Sequence, residues 1–96
     1  MKRLNYVMVR TYSAGVFAGY LKSKKGKEVV LKDARRIYYW HGAATLSQLS
    51  QEGTKSPTTC KFPMEVAEIV LTEAIEIISV TKKAQASIKS VPIWTA

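Results

Sequence analysis

Polar and apolar positions alternate along the first third of the chain. From Arg3 to Ser13, Tyr6, Met8, Arg10 and Tyr12 fall on one side of an extended backbone, with Val7, Val9 and Thr11 on the other. A two-residue period carried by β-branched and aromatic side chains predicts a strand. Ala14-Gly15 reads as a turn or bulge. The alternation then resumes from Val16 to Lys24, with Val16, Ala18 and Tyr20 set against Phe17, Gly19 and Leu21. Gly19 suits a bulge or a close backbone approach. Lys24-Lys25-Gly26-Lys27 predicts a hairpin loop, and Glu28 to Lys32 a third strand. Asp33-Ala34 reads as a turn. Beyond it, Arg35 to His41 predicts another strand, with Arg36, Tyr38 and Trp40 on one face and Arg35, Ile37, Tyr39 and His41 on the other.

The pattern changes after Gly42. Thr45 with Gln48 three residues later fits a capping box, Leu46 and Leu49 lie one turn apart, and Gly53 is a natural stop. A two-turn helix over Leu46 to Glu52 follows, then a polar loop from Thr54 to Thr59. Val66 to Leu71 and Ala74 to Val80 alternate again, and predict two strands bending near Thr72-Glu73. A single helix over Glu65 to Ile78 is disfavoured by the density of β-branched residues. Thr81 can cap a short helix from Lys82 to Lys89, and Pro92 stops its continuation. Val91 to Trp94 reads as a terminal strand or docking tail. The expected fold is α+β: one domain over residues 1–96, with a small antiparallel sheet or open barrel of about six strands and two short helices. Residues 1–41 form its basic, aromatic-rich β half. Residues 42–96 form a neutral half with two short helices and two strands.

Composition narrows the function classes. With 96 residues there is no room for a cofactor domain beside a substrate domain. One cysteine, Cys60, allows no internal disulfide, and with the single His41 it cannot complete a four-ligand zinc site. No apolar run approaches the ~20 residues of a membrane span and no targeting signal is visible, so a cytoplasmic protein is expected. The net charge of +8 is confined to residues 1–41, which hold ten of the fifteen basic residues and seven of the nine aromatics. Basic groups interleaved with rings suit an anionic ligand with flat bases, since guanidinium pairs with phosphate and rings stack on bases. A solvated basic surface over an aromatic core is the competing reading.

The densest cluster is Arg35-Arg36-Ile37-Tyr38-Tyr39-Trp40-His41. Its Arg36–Tyr38–Trp40 face can hold a phosphate at one end and a base at the other, with ~7 Å per two residues. Arg10 with Tyr12, and Lys61 with Phe62, repeat the pairing more weakly. The alternative places Tyr38 and Trp40 in the core. The candidate ligand-binding residues are therefore Arg10, Tyr12, Arg35, Arg36, Tyr39, Trp40, Lys61 and Phe62. No catalytic residue, metal ligand or cofactor is expected. His41 lacks a recognisable nucleophile, and neither a dinucleotide fingerprint nor a phosphate loop is present. The helix start near Ala44 to Leu46 offers backbone donors to a phosphate.

Taken together, Val9-Arg10-Thr11-Tyr12-Ser13-Ala14-Gly15-Val16-Phe17-Ala18-Gly19, Ala34-Arg35-Arg36-Ile37-Tyr38-Tyr39-Trp40, Gly42-Ala43-Ala44-Thr45-Leu46-Ser47-Gln48-Leu49 and Cys60-Lys61-Phe62-Pro63 resemble a widespread family of small phage-encoded proteins. The likeness runs from about residue 7 to Trp94. That family resembles in turn the Thoeris anti-defence protein 1 sponges. The resemblance implies an oligomeric, non-enzymatic phage protein that binds a cyclic ADP-ribose isomer or cyclic oligonucleotide and sequesters it without cleavage. A domain this small would deepen its pocket by sharing it across a homo-oligomer. Two other classes compete: a basic nucleic-acid-binding protein, with affinity falling steeply with salt, and an inhibitor steered onto an acidic host protein.

Overall fold

The structure, a computed structural model, describes residues 4–95. The start of the first predicted strand at Arg3 lies outside the described residues. Five antiparallel strands form one sheet: β1 (Tyr6–Thr11), β2 (Val16–Lys25), β3 (Glu28–Arg36), β4 (Val66–Leu71) and β5 (Ala74–Ser79). Their order is β4-β3-β2-β1-β5. Helices α1 (Leu46–Glu52) and α2 (Lys82–Ser90) complete an α+β fold.

The strand order dictates the shape. β4 and β5 are the two edges of the sheet, yet only Thr72 and Glu73 join them. Two residues cannot cross a flat five-stranded sheet, whose strands lie ~4.8 Å apart. The sheet must curl and shear until the end of β4, beside Val29, meets the start of β5, beside Thr11. Hydrogen bonds from Tyr12 N to Glu73 O (2.9 Å) and from Ala74 N to Lys27 O (3.0 Å) close the corner. The result is an open barrel. Gly19 helps β2 bend against β3, because a Cβ there would stand 3.0 Å from Ala34 Cα.

Both faces of the sheet are buried near β1. Val7 and Val9 point into the barrel with Phe17, Val29, Leu31, Ala34 and Leu71. Tyr6 and Met8 point outward, where Leu49 of α1, Ile88 of α2, Phe62 and Ile37 cover them. This is the alternation read in the sequence, with each face given its own core. Fully burying a Leu, Ile or Phe side chain contributes ~1.5–3 kcal/mol relative to exposure, so the helix layer contributes directly to the sheet's stability.

The helix layer is set by caps. Thr45 Oγ1 accepts from Gln48 N at 3.1 Å, while Gln48 Oε1 reaches one residue further back than a capping box requires, to Ala44 N at 2.8 Å. Thr81 caps α2 by accepting from Ala84 N, and its hydroxyl donates to Gln51 O at 2.7 Å, which ties the two helices together. Gly53 ends α1 at φ 79°, and a Cβ there would collide with the Ser87 side chain. Glycine is required for the turn and for the close approach to α2.

One sequence expectation changes. Asp33-Ala34 is not a turn: β3 runs unbroken from Glu28 to Arg36, so it absorbs the start of the expected Arg35–His41 strand, which stops at Arg36, and the sheet has five. Asp33 adopts φ 49°, and the β2–β3 register shifts there, with Lys32 opposite Tyr20 but Arg35 opposite Ala18. This is a bulge. An extra residue in one strand switches the faces of everything after it.

Tyr6 carries the one buried side-chain polar atom without a hydrogen-bond partner among the described residues, its hydroxyl. Burial, reinforced by the charge of Glu65, raises its pKa well above the ordinary phenol value. An unpaired buried hydroxyl loses its water bonds and gains nothing. Tyr6→Phe is therefore expected to stabilise the fold by ~1 kcal/mol, read as a higher urea midpoint with an unchanged m value.

Candidate functional site

The bulge at Asp33 decides where the two arginines go. Arg35 turns toward the helix layer and is buried, 3% exposed. Its Nε donates to Pro63 O (2.9 Å) and its Nη1 to Ile88 O (2.8 Å). Its Nη2 reaches Phe62 O (2.9 Å), Val91 O (2.7 Å) and Pro92 O (3.2 Å). Burial lowers its pKa from the usual guanidinium value, but arginine stays charged in a fold. Phe62, wholly buried, packs beneath this guanidinium at 5.4 Å. Both side chains are engaged within the fold: Arg35 is committed to backbone carbonyls and Phe62 to the core.

Beyond the bulge, Ala34, Arg36 and Tyr38 follow one another on the opposite side. Ala34 belongs to the barrel interior, while Arg36 and Tyr38 are exposed. The segment continues in isolated β-bridge geometry: Tyr39 N bonds Lys61 O at 3.2 Å, and Lys61 N bonds Tyr39 O at 2.7 Å. The chain end is pinned beside it, with Trp94 N donating to Phe62 O at 3.0 Å. This places the Trp94 ring parallel to Tyr38, with centroids 5.3 Å apart and planes 8° apart. Lys61 Nζ stands 5.6 Å from the Trp94 ring and 5.7 Å from that of Tyr39. Tyr38 is 62% exposed and Trp94 39%. These four residues make a solvent-facing ledge of three rings, two of which flank one ammonium group.

The other predicted residues scatter. Arg10 on β1 is paired with Glu76 on β5, Nε to Oε1 at 3.2 Å. Tyr12, 77% exposed, borders a shallow recess with Lys27, Glu73 and Ile75. Trp40 leaves the Arg36–Tyr38 row and packs, half-buried, against the core beneath the helices. Its place beside Tyr38 is taken by Trp94, which alternation within one strand could not reveal. Arg36 turns to β2, its guanidinium carbon 4.4 Å from the Phe17 ring centroid and Nη1 donating to Ala14 O at 2.6 Å.

Cys60 is buried, and its sulfur lies against the backbone of His41, 3.4 Å from the amide nitrogen and 3.5 Å from the carbonyl oxygen. Among the described residues no three His, Cys, Asp or Glu side chains gather as metal ligands would, and no helix is long and apolar enough to cross a membrane.

Fold and ledge together define a small α+β protein: an open five-stranded barrel backed by two helices, with an aromatic and cationic surface where the chain end meets the end of β3. A family model described as a domain of unknown function, DUF6948, matches residues 4–88, and the chain belongs to that family. No curated protein and no solved structure matches it. Trp94 lies beyond the matched stretch.

Proposed function

We propose that the protein is a non-enzymatic binding protein that captures a nucleotide signal, and that the ledge of Tyr38, Tyr39, Lys61 and Trp94 receives it. The observation that carries this reading is the parallel Tyr38–Trp94 stack with Lys61 beside it. An exposed ring pair offers a face to a base, and base stacking on such a ring contributes ~1–3 kcal/mol. Lys61 supplies the charge for a phosphate. The resemblance to phage anti-defence sponges supports a cyclic ADP-ribose isomer or cyclic oligonucleotide as the ligand, taken up intact. The ledge is open to solvent, so a second copy covering it would give the enclosure that tight capture requires.

Mass spectrometry tests this reading. Protein exposed to such signals, purified and then heated, is expected to release an unaltered nucleotide. Native spectra should show one ligand per shared pocket in an oligomer. Recovery of no nucleotide from any of these classes would defeat the reading, and recovery of a hydrolysed one would turn it toward an enzyme.

A second reading has its own support. Lys24, Lys25 and Lys27 are exposed at the β2–β3 hairpin, and among the described residues none pairs with a carboxylate. The hairpin and the ledge adjoin opposite ends of β3, a nine-residue strand of roughly 30 Å in length. One small ligand cannot contact both, whereas a single-stranded nucleic acid could. Binding of that kind loses affinity with a log–log salt slope of about 0.7 per phosphate contact. A steep slope with oligonucleotides, and none with the cyclic signals, would favour it.

A further inference from the structure

The mouth of the barrel is not sealed. A cavity of about 210 Å³ opens there, lined by Phe17, Ala34, Arg36, Met64, Val66 and Ile69 with Pro63 at its side. Its floor is the barrel core itself, since Phe17 and Ala34 are buried members of that cluster and Ile69 packs against it. Its outer wall is apolar yet solvent-facing: Met64 is 65% exposed and Val66 44%. A hydrophobic core that ends in an open pocket leaves apolar surface in water, which a ligand can cover.

One charged group stands at the rim. The Arg36 guanidinium carbon stands 4.4 Å over the Phe17 ring, and Nη1 donates to Ala14 O. Among the described residues neither Nε nor Nη2 has an acceptor, and no carboxylate pairs with this arginine. The free edge is a two-donor fork, the arrangement that matches the two oxygens of a carboxylate. The pocket falls short of the ~300–1,000 Å³ that encloses a drug-sized ligand. It suits a single ring or one branched aliphatic group.

We propose that the barrel mouth is a binding site for a compact apolar carboxylate, whose hydrocarbon part enters the pocket while its carboxylate pairs with Arg36. The site is separate from the ledge and does not depend on the nucleotide reading. A free organic acid and the last residue of a peptide chain share this chemistry.

Methyl and amide NMR titrations distinguish the outcomes. Phenylacetate is expected to give saturable shifts at Met64, Val66 and Ile69. Phenylacetamide, which lacks the charge, should bind at least tenfold more weakly. Arg36→Gln should weaken phenylacetate at least tenfold, and Val66→Phe, which fills the pocket from an exposed position, should abolish the shifts. Trp94→Ala should leave them unchanged. Acetyl-phenylalanine binding more tightly than phenylacetate would identify a chain end as the source; the reverse order would identify a free acid. The proposal is overturned if shifts fail to saturate or fall elsewhere. It is equally overturned if the amide binds as well as the acid, if Arg36→Gln has no effect, or if phenyl phosphate outcompetes phenylacetate.

Discussion

Arg35→Ala is expected to lower stability by about 4 kcal/mol. The guanidinium is the common donor for five backbone carbonyls drawn from three places: the Phe62-Pro63 segment, the end of α2 at Ile88, and the tail at Val91 and Pro92. Removing it strands acceptors in a buried region, where each unpaired group costs ~1–3 kcal/mol. It also opens a cavity beside Phe62. The losses do not add in full, because the bonds to Pro63 and Pro92 are only part-buried and water can replace them. For a domain of this size ~4 kcal/mol lowers Tm by roughly 20 °C. Arg35→Lys keeps the charge but offers three donors from a single point, so it should recover only part of the loss. Urea denaturation followed by circular dichroism measures both. A loss below ~1 kcal/mol for the alanine variant would mean that the carbonyls are satisfied some other way.

Trp94→Ala should produce the second large effect, and on binding rather than on stability. Its ring is 39% exposed and rests on Tyr38, whose own ring is 62% exposed. Removing it disturbs little of the core. It does remove half of the stacked pair and one of the two rings flanking Lys61. A stacked base contributes ~1–3 kcal/mol, so nucleotide affinity should fall about 10- to 100-fold. Trp94→Phe, which retains a ring, should recover most of that affinity. Trp40→Phe should change it little, because Trp40 packs against the core beneath the helices. An equal loss for Trp40→Phe and Trp94→Ala would place the ligand elsewhere.

The strands and caps were legible because their signals are local. Alternation of Tyr6 and Met8 against Val7 and Val9 needs nothing beyond its neighbours, and neither does Thr45 before Leu46. The curl of the sheet was hidden, since it follows from the pairing of β5 with β1 rather than with β4. The site was half legible. The Arg35–His41 run stands out in the sequence, but the facing of its residues depends on the phase of β3. A positive φ at Asp33 resets that phase, and nothing in the alternation discloses it. Hence Arg35 goes under the helix layer to hold the backbone while Arg36 and Tyr38 face water. Trp94 was invisible as a partner of Tyr38 because it arrives from the far end of the sequence. The concentration of charge and rings in residues 1–41 also dissolves in three dimensions. Tyr6 and Phe17 are buried, Tyr20 packs against the core, and the exposed lysines of the hairpin stand away from the ledge.

The central claim is that the ledge captures a nucleotide, and calorimetric titration tests it most directly. Wild-type protein and the Trp94→Ala variant would each be titrated with cyclic ADP-ribose isomers and with cyclic di- and trinucleotides. The expected result is saturable binding of at least one of them by the wild type, at fixed stoichiometry, with affinity lowered about 10- to 100-fold in the variant. No binding by the wild type, or equal affinity in the two proteins, would contradict it.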